Sequence, residues 1–161
     1  MKKFITIITV ALFYMTPIMS QTNLVTNNPY AKNIFFELGG PGMASINYDM
    51  RFNKTAEGLG FRAGIGGFPA LDVNVLTLPL GLNYILSKDN KNFFELGAGF
   101  TVINASQSGD GIFSGSFGHT NFGYRMQPKS GGFTFRASLN PIFTGEGVFP
   151  FYAGIGFGWK F

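Results

Sequence analysis

An all-β fold, an antiparallel up-and-down transmembrane β-barrel, is the architecture that this sequence predicts. Three observations carry the prediction. Apolar residues alternate with small or polar ones along almost the whole chain, the period-two pattern of strands with two unlike faces. The face opposite the apolar one carries both full charges and glycines. The chain also begins with a segment of export-signal type and ends on an aromatic residue, Phe161.

Composition sets the outer bounds. A chain of 161 residues makes one domain. Its apolar fraction of 45% is ordinary for a globular protein, so apolar residues are not gathered into helical spans. The absence of cysteine excludes a disulfide framework, thiolate metal sites and a lipoprotein anchor. The formal charge is +4, and it falls to +2 without Lys2 and Lys3. No run of Lys and Arg occurs, so the composition gives no basis for nucleic-acid binding.

Residues 1–20 read as a cleaved secretory signal peptide. Lys2 and Lys3 form its positive start, and Phe4 to Met15 its apolar core. That core matches the roughly 7–15 residues of a signal and falls short of the ~20 that a spanning helix needs. Pro17 breaks it, and Ser20 offers a small residue before the cut. Residues 21–32 are polar and aperiodic, a short flexible lead-in. Residues 33–161 form the barrel domain.

The strands follow in order. Ile34, Phe36 and Leu38 alternate with Phe35 and Glu37; Ile46, Tyr48, Met50 and Phe52 alternate with Ser45, Asn47, Asp49 and Arg51. Between these runs Gly39-Gly40-Pro41-Gly42 is either a tight turn or a kink in one long strand, because both halves share one parity. Leu59 to Phe68 and Val73 to Leu86 come next, the second interrupted by Pro79, where a local irregularity is expected. Phe93 to Asn104, Ile112 to Gln127 and the run from Phe133 to Leu139 follow. The final strand is Phe149 to Phe161, with every odd position apolar. No helix period appears after the signal.

The apolar face is assigned to lipid for physical reasons. Glycine weakens a strand, and a solvent-facing surface gives no reason for it. A narrow lumen does give one, because arginines must fit opposite something small. Uniformly bulky apolar rows are hard to pack as one core but suit lipid. Tyr48, Tyr84, Tyr124 and Trp159 fall toward one set of strand ends, as in an interfacial girdle. A closed barrel also pairs every backbone group in hydrocarbon. An even strand number with short periplasmic turns makes Gly39–Gly42 an external turn and gives eight strands; the alternative is seven.

Eight charged residues share the inner parity: Glu37, Asp49, Arg51, Arg62, Glu95, Arg125, Arg136 and Lys160. An eight-stranded lumen is just wide enough for side chains to fill, so these are expected to pair as a lumen charge network. His119, the only histidine, also points inward by parity. With Ser106, Ser108, Ser114 or Ser116 and Asp110 nearby it could in principle assemble an acyl-transfer site, but no acyl-hydrolase signature accompanies it. No metal or cofactor site is legible.

The segments FFELGGPGMASINYDMRF, LPLGLNYIL, FFELGAGF, FGYRMQPKSGGFTFRASLNPIF and FYAGIGFGWKF together resemble the small outer-membrane β-barrel proteins of Bacteroidota-type Gram-negative bacteria. The resemblance covers nearly all of the mature chain. It implies location in the outer membrane and insertion by the barrel-assembly machinery, with Phe161 as the assembly signal. It implies no chemistry. The resulting expectation is a monomeric, non-enzymatic barrel in outer-membrane lipid with a filled lumen and a structural or envelope role. A narrow pore, a lipid-modifying enzyme using His119 and a soluble barrel carrying an apolar ligand are the alternatives.

Overall fold

The computed structural model describes residues 31–70, 73–87, 89, 91–106 and 115–161, with only the backbone described at 68–70, 73–74 and 105–106. The signal reading, most of the lead-in, the tip of the Pro69–Asp72 turn and nearly all of the Ala105–Gly111 loop lie outside the described residues. Ten strands form in chain order: β1 (Lys32–Gly39), β2 (Ala44–Arg51), β3 (Gly58–Ala70), β4 (Val73–Ser87), β5 (Asn92–Ser106), β6 (Gly115–Met126), β7 (Gly132–Leu139), β8 (Ile142–Thr144), β9 (Gly147–Phe149) and β10 (Ala153–Lys160).

Strands β1 to β7 pair antiparallel in sequence order, β7 pairs β10, and β10 returns to β1. The sheet is therefore a closed barrel of eight strands, with β8 and β9 as a hairpin extension of one wall. The seam is well matched, from Asn33 opposite Lys160 to Gly39 opposite Gly154. The Phe161 amide donates to the Lys32 carbonyl at 3.0 Å and extends the closure by one residue.

The Gly-Gly-Pro-Gly segment is a turn. Gly39 and Gly40 adopt φ of 71° and 69°, a left-handed conformation that costs a residue with a side chain about 1–2 kcal/mol. Pro79 leaves its mark where a missing N–H predicts it. The β3–β4 ladder steps from Ala63–Leu80 to Gly66–Thr77 without pairs opposite Pro79, while the β4–β5 ladder is unbroken there.

The closing strand differs from its sequence pattern. Leu139 pairs with Ala153 but Ile142 with Phe149, so Asn140 and Pro141 oppose the longer run Pro150–Tyr152. That is a β-bulge, and it divides the expected Phe149–Phe161 strand into β9 and β10. Cross-strand partners share a face. Phe149 therefore shares the face of Ile142, whose partner on β6 is His119. The bulge moves Phe149 from the outer row to the inner one.

The wall is inside-out relative to a water-soluble protein. Among the described residues six buried side chains are apolar, two of them the prolines Pro41 and Pro79, and nineteen are polar or charged. The large apolar side chains point outward and stay exposed, as with Leu82 at 54% and Ile46 at 58%. A soluble carrier of an apolar ligand has the opposite arrangement. Glycine on the inner face supplies room: a Cβ on Gly60 would overlap the Arg51 guanidinium, and one on Gly158 would overlap Phe35. Gly158→Leu is accordingly expected to abolish refolding, read by the compact-form band on an unheated gel, while Gly145→Leu, with nothing within 4 Å, leaves the yield unchanged.

Candidate functional site

The lumen is the candidate site, and it has two levels. In the half nearest Lys32 and Phe161, ionic groups from four strands converge with an asparagine from a fifth. Asp49 on β2 is gripped by Arg125 of β6 through both terminal nitrogens, at 2.9 and 3.0 Å. Two-pronged geometry of this kind is the strong form of a charge-assisted bond. Arg51 meets the same carboxylate at 2.9 Å and Arg136 stands 3.9 Å away. Glu95 on β5 accepts from Arg125 Nε at 2.9 Å and pairs with Arg136. Asn83 on β4 donates to Asp49 at 2.6 Å and to Glu95 at 2.8 Å, and accepts from Arg51.

A second pair joins β1 and β3, Glu37 with Arg62; Arg62 Nε also donates to Asn47 at 3.1 Å. Phe35 separates the two clusters. Arg136 lies 4.1 Å and Arg62 5.0 Å from its ring centroid, so the ring spaces two like charges and attracts both through its π face. Parity on β1 was the available signal for Phe35; sequence reasoning gave that residue no role.

Seven of the eight expected residues join these clusters, and Lys160 does not. Its ammonium reaches the Pro128 and Lys129 carbonyls, both at 3.1 Å. It braces the β6–β7 turn at the barrel rim. The buried clusters hold four arginines and three carboxylates, and Arg51 Nε and Arg136 Nη1 are buried without a partner.

The other half is closed by backbone. Gly40, Pro41 and Gly42 are buried, because the β1–β2 turn folds into the barrel mouth. Thr101 on β5 donates to the Pro41 carbonyl at 3.1 Å, and Thr77 on β4 donates to the Gly42 carbonyl at 2.8 Å. Both threonines are fully buried. The turn is thus a cork pinned from the opposite wall. Next to it Met43, a residue with a side chain, takes φ of 65°, so the cork is held at some backbone cost.

His119 lies beneath this cork. Its Nδ1 is 3.4 Å from Thr101 Oγ1, and its ring packs edge-on to Phe117. Ser116 is exposed and has the opposite parity. Ser108, Asp110 and Ser114 lie outside the described residues, as does the Ser106 side chain. Among the described residues no nucleophile–base–acid set assembles around His119. A cavity of about 20 Å³ touches Arg62, Asn83, Glu95, His119 and Asn121. It has room for one water, and the buried, unpartnered Asn121 Oδ1 is a ready acceptor for it.

No family model matches the chain, and no curated protein matches it by sequence. Among solved structures it is similar to the N-terminal β-barrel domain of Pseudomonas aeruginosa OprF, with a TM-score of 0.58 and 14% identity over 82% of this chain and 96% of that one. At that identity the likeness concerns the fold: an all-β, antiparallel, closed eight-stranded barrel.

The ion network sets the response to substitution. Asp49→Ala leaves Arg51 with no carboxylate, only neutral acceptors on Gly58 and Asn83, and Arg125 with Glu95 as its only carboxylate, and is expected to cost about 3–5 kcal/mol. Arg136→Met keeps Glu95 paired with Arg125 and Asn83, and removes a buried, unpartnered N–H, so it costs much less. Urea titrations of the folded barrel in detergent distinguish the two.

Proposed function

We propose that this chain is an integral outer-membrane β-barrel protein of a Gram-negative bacterium, with a sealed lumen and a structural or envelope-associated role. One observation carries the reading: an outward belt of exposed apolar side chains surrounds a lumen filled with paired charge. Water stabilises the first poorly, and hydrocarbon tolerates the second only inside a closed wall. The exposed rings of Tyr84, Tyr124 and Trp159 lie toward the end holding Lys32 and Phe161, where a membrane interface favours aromatic residues. That end is periplasmic in this reading, and the cork faces outward.

The protein acts as a monomer in outer-membrane lipid, without cofactor, nucleic acid or catalysis. Export by a cleaved signal peptide and insertion by the barrel-assembly machinery, with Phe161 as the assembly signal, complete the reading. Cork and charge network each obstruct the axis of a barrel already narrow enough to be filled by side chains.

Two measurements test this. The protein is expected to stay with membranes through carbonate extraction and to migrate faster unheated than boiled; release into the soluble fraction overturns the placement. In planar bilayers the purified barrel is expected to show no discrete conductance steps. Steps that persist across preparations favour the narrow pore instead.

A further inference from the structure

The barrel wall has a notch. Pairing of β1 with β10 stops at Gly39–Gly154, and the β2–β3 ladder stops at Ala44–Gly67. Beyond those points β3 continues to Ala70, and the arm formed by β10 and β9 continues to Gly147. The Gly40 amide still donates to the Ala153 carbonyl at 3.1 Å; beyond that, among the described residues, no strand pairs with either upper edge. The edges are three strand spacings apart, roughly 14 Å. Between them the β1–β2 turn bends inward as the cork and leaves the wall low.

The inner face changes character at this height. Below the cork it is mostly charged and polar, with Phe35, Ile85 and Phe93 set among those groups. At and above it come Val75, two residues beyond Thr77, then Phe117, two beyond His119, then Ile142 opposite His119 and Phe149 opposite Ile142. Phe149 is 62% exposed although it lies on the inner side. On the outward side of the same hairpin Phe143 and Val148 are exposed as well, at 44% and 57%. A hairpin apolar on both faces fits apolar matter on both sides; a water-filled vestibule gives no reason for the inner row.

We propose that this cup above the cork binds one fatty acyl chain of an outer-leaflet lipid, which enters sideways through the notch. The inference rests on the outer-membrane placement proposed above. An acyl chain is chosen over a soluble apolar ligand because the notch is continuous with the lipid face. The outward row of β1 (Ile34, Phe36 and Leu38) rises to its lower edge, and Phe143 and Val148 continue the row on the hairpin beside it. The cork sets the depth, since its carbonyls are bound to Thr77 and Thr101. The chain therefore lies in the outer half of the barrel and does not reach the charge network.

The test uses the folded barrel in vesicles of phosphatidylethanolamine and phosphatidylglycerol, doped with a phospholipid carrying a diazirine near the end of one acyl chain. After photolysis, adducts are mapped by mass spectrometry. Labelling is expected on Ile142 and Phe149 as well as on outward residues such as Leu82 and Phe143. In Phe149→Asp, a change at an exposed position, inner labelling is lost and outward labelling is kept. Outward labelling alone overturns the cup and leaves the membrane placement standing. Inner labelling that survives Phe149→Asp also overturns it. Labelling at neither face overturns the cup together with the placement.

Discussion

A barrel of eight strands encloses a lumen no wider than its own side chains, and the rest of this structure answers to that limit. Every charge deep in the lumen must find its counter-charge across a few ångströms, because too little water fits to solvate it. Asp49 shows the result. It stands between two arginines at 2.9 Å, with a third 3.9 Å away, and these partners come from β2, β6 and β7. The pairs therefore tie distant strands together, beyond what neighbouring ladders do. The same limit explains why glycine recurs opposite the largest side chains. Gly60 is vacant space for Arg51, and Gly158 is vacant space for Phe35. A solvent-facing strand loses stability by such choices; a filled lumen requires them.

Much of this was legible because the strand period is two. A single parity assignment sends Glu37, Asp49, Arg62, Glu95, Arg125 and Arg136 to one side, and their sizes and signs then favour pairing. The strand number followed from parity together with the rule of even counts, and Gly39 and Gly40 supply the left-handed geometry that the first turn uses. What alternation leaves open is how a wall is terminated. The bulge at Pro150–Tyr152 shifts register by one residue, and such a slip exchanges the two faces. Alternation in FPFYAGIG does not mark it, because odd positions remain apolar on both sides of the break, and only Pro150 signals an irregularity there. Phe149 thus reads as lipid-facing in sequence and lies inward in space.

Other features were invisible for related reasons. Phe35 has inner parity, but its role depends on Arg62 and Arg136, residues from two other strands that converge on its ring. Lys160 shares the parity of the network, yet it sits at the barrel rim, where the nearest acceptors are turn carbonyls. Parity gives a side but not a height. The cork is the clearest instance. Glycine and proline announce a turn at Gly39–Gly42; whether that turn points into solvent or into the mouth depends on Thr77 and Thr101 across the lumen.

Height is what separates the two levels of the barrel. Near Lys32 and Phe161 the inner face is ionic and the outer face apolar, so the wall separates an apolar surface from paired charge. At the corked end the inner face turns apolar above Thr77 and His119, while the outer face stays apolar at Phe143 and Val148. A wall that is apolar on both faces no longer separates two media. The same end is where β1 and β2 stop short and the strand edges of β3 and β9 stand apart. An open edge in hydrocarbon is costly unless something covers it, and an apolar inner face in water is costly unless something fills it. Both costs fall at one place, and an apolar occupant entering from the side relieves the second while shielding part of the first. The cork, pinned by Thr77 and Thr101, forms a floor between an apolar inner rim and the charge network beneath it.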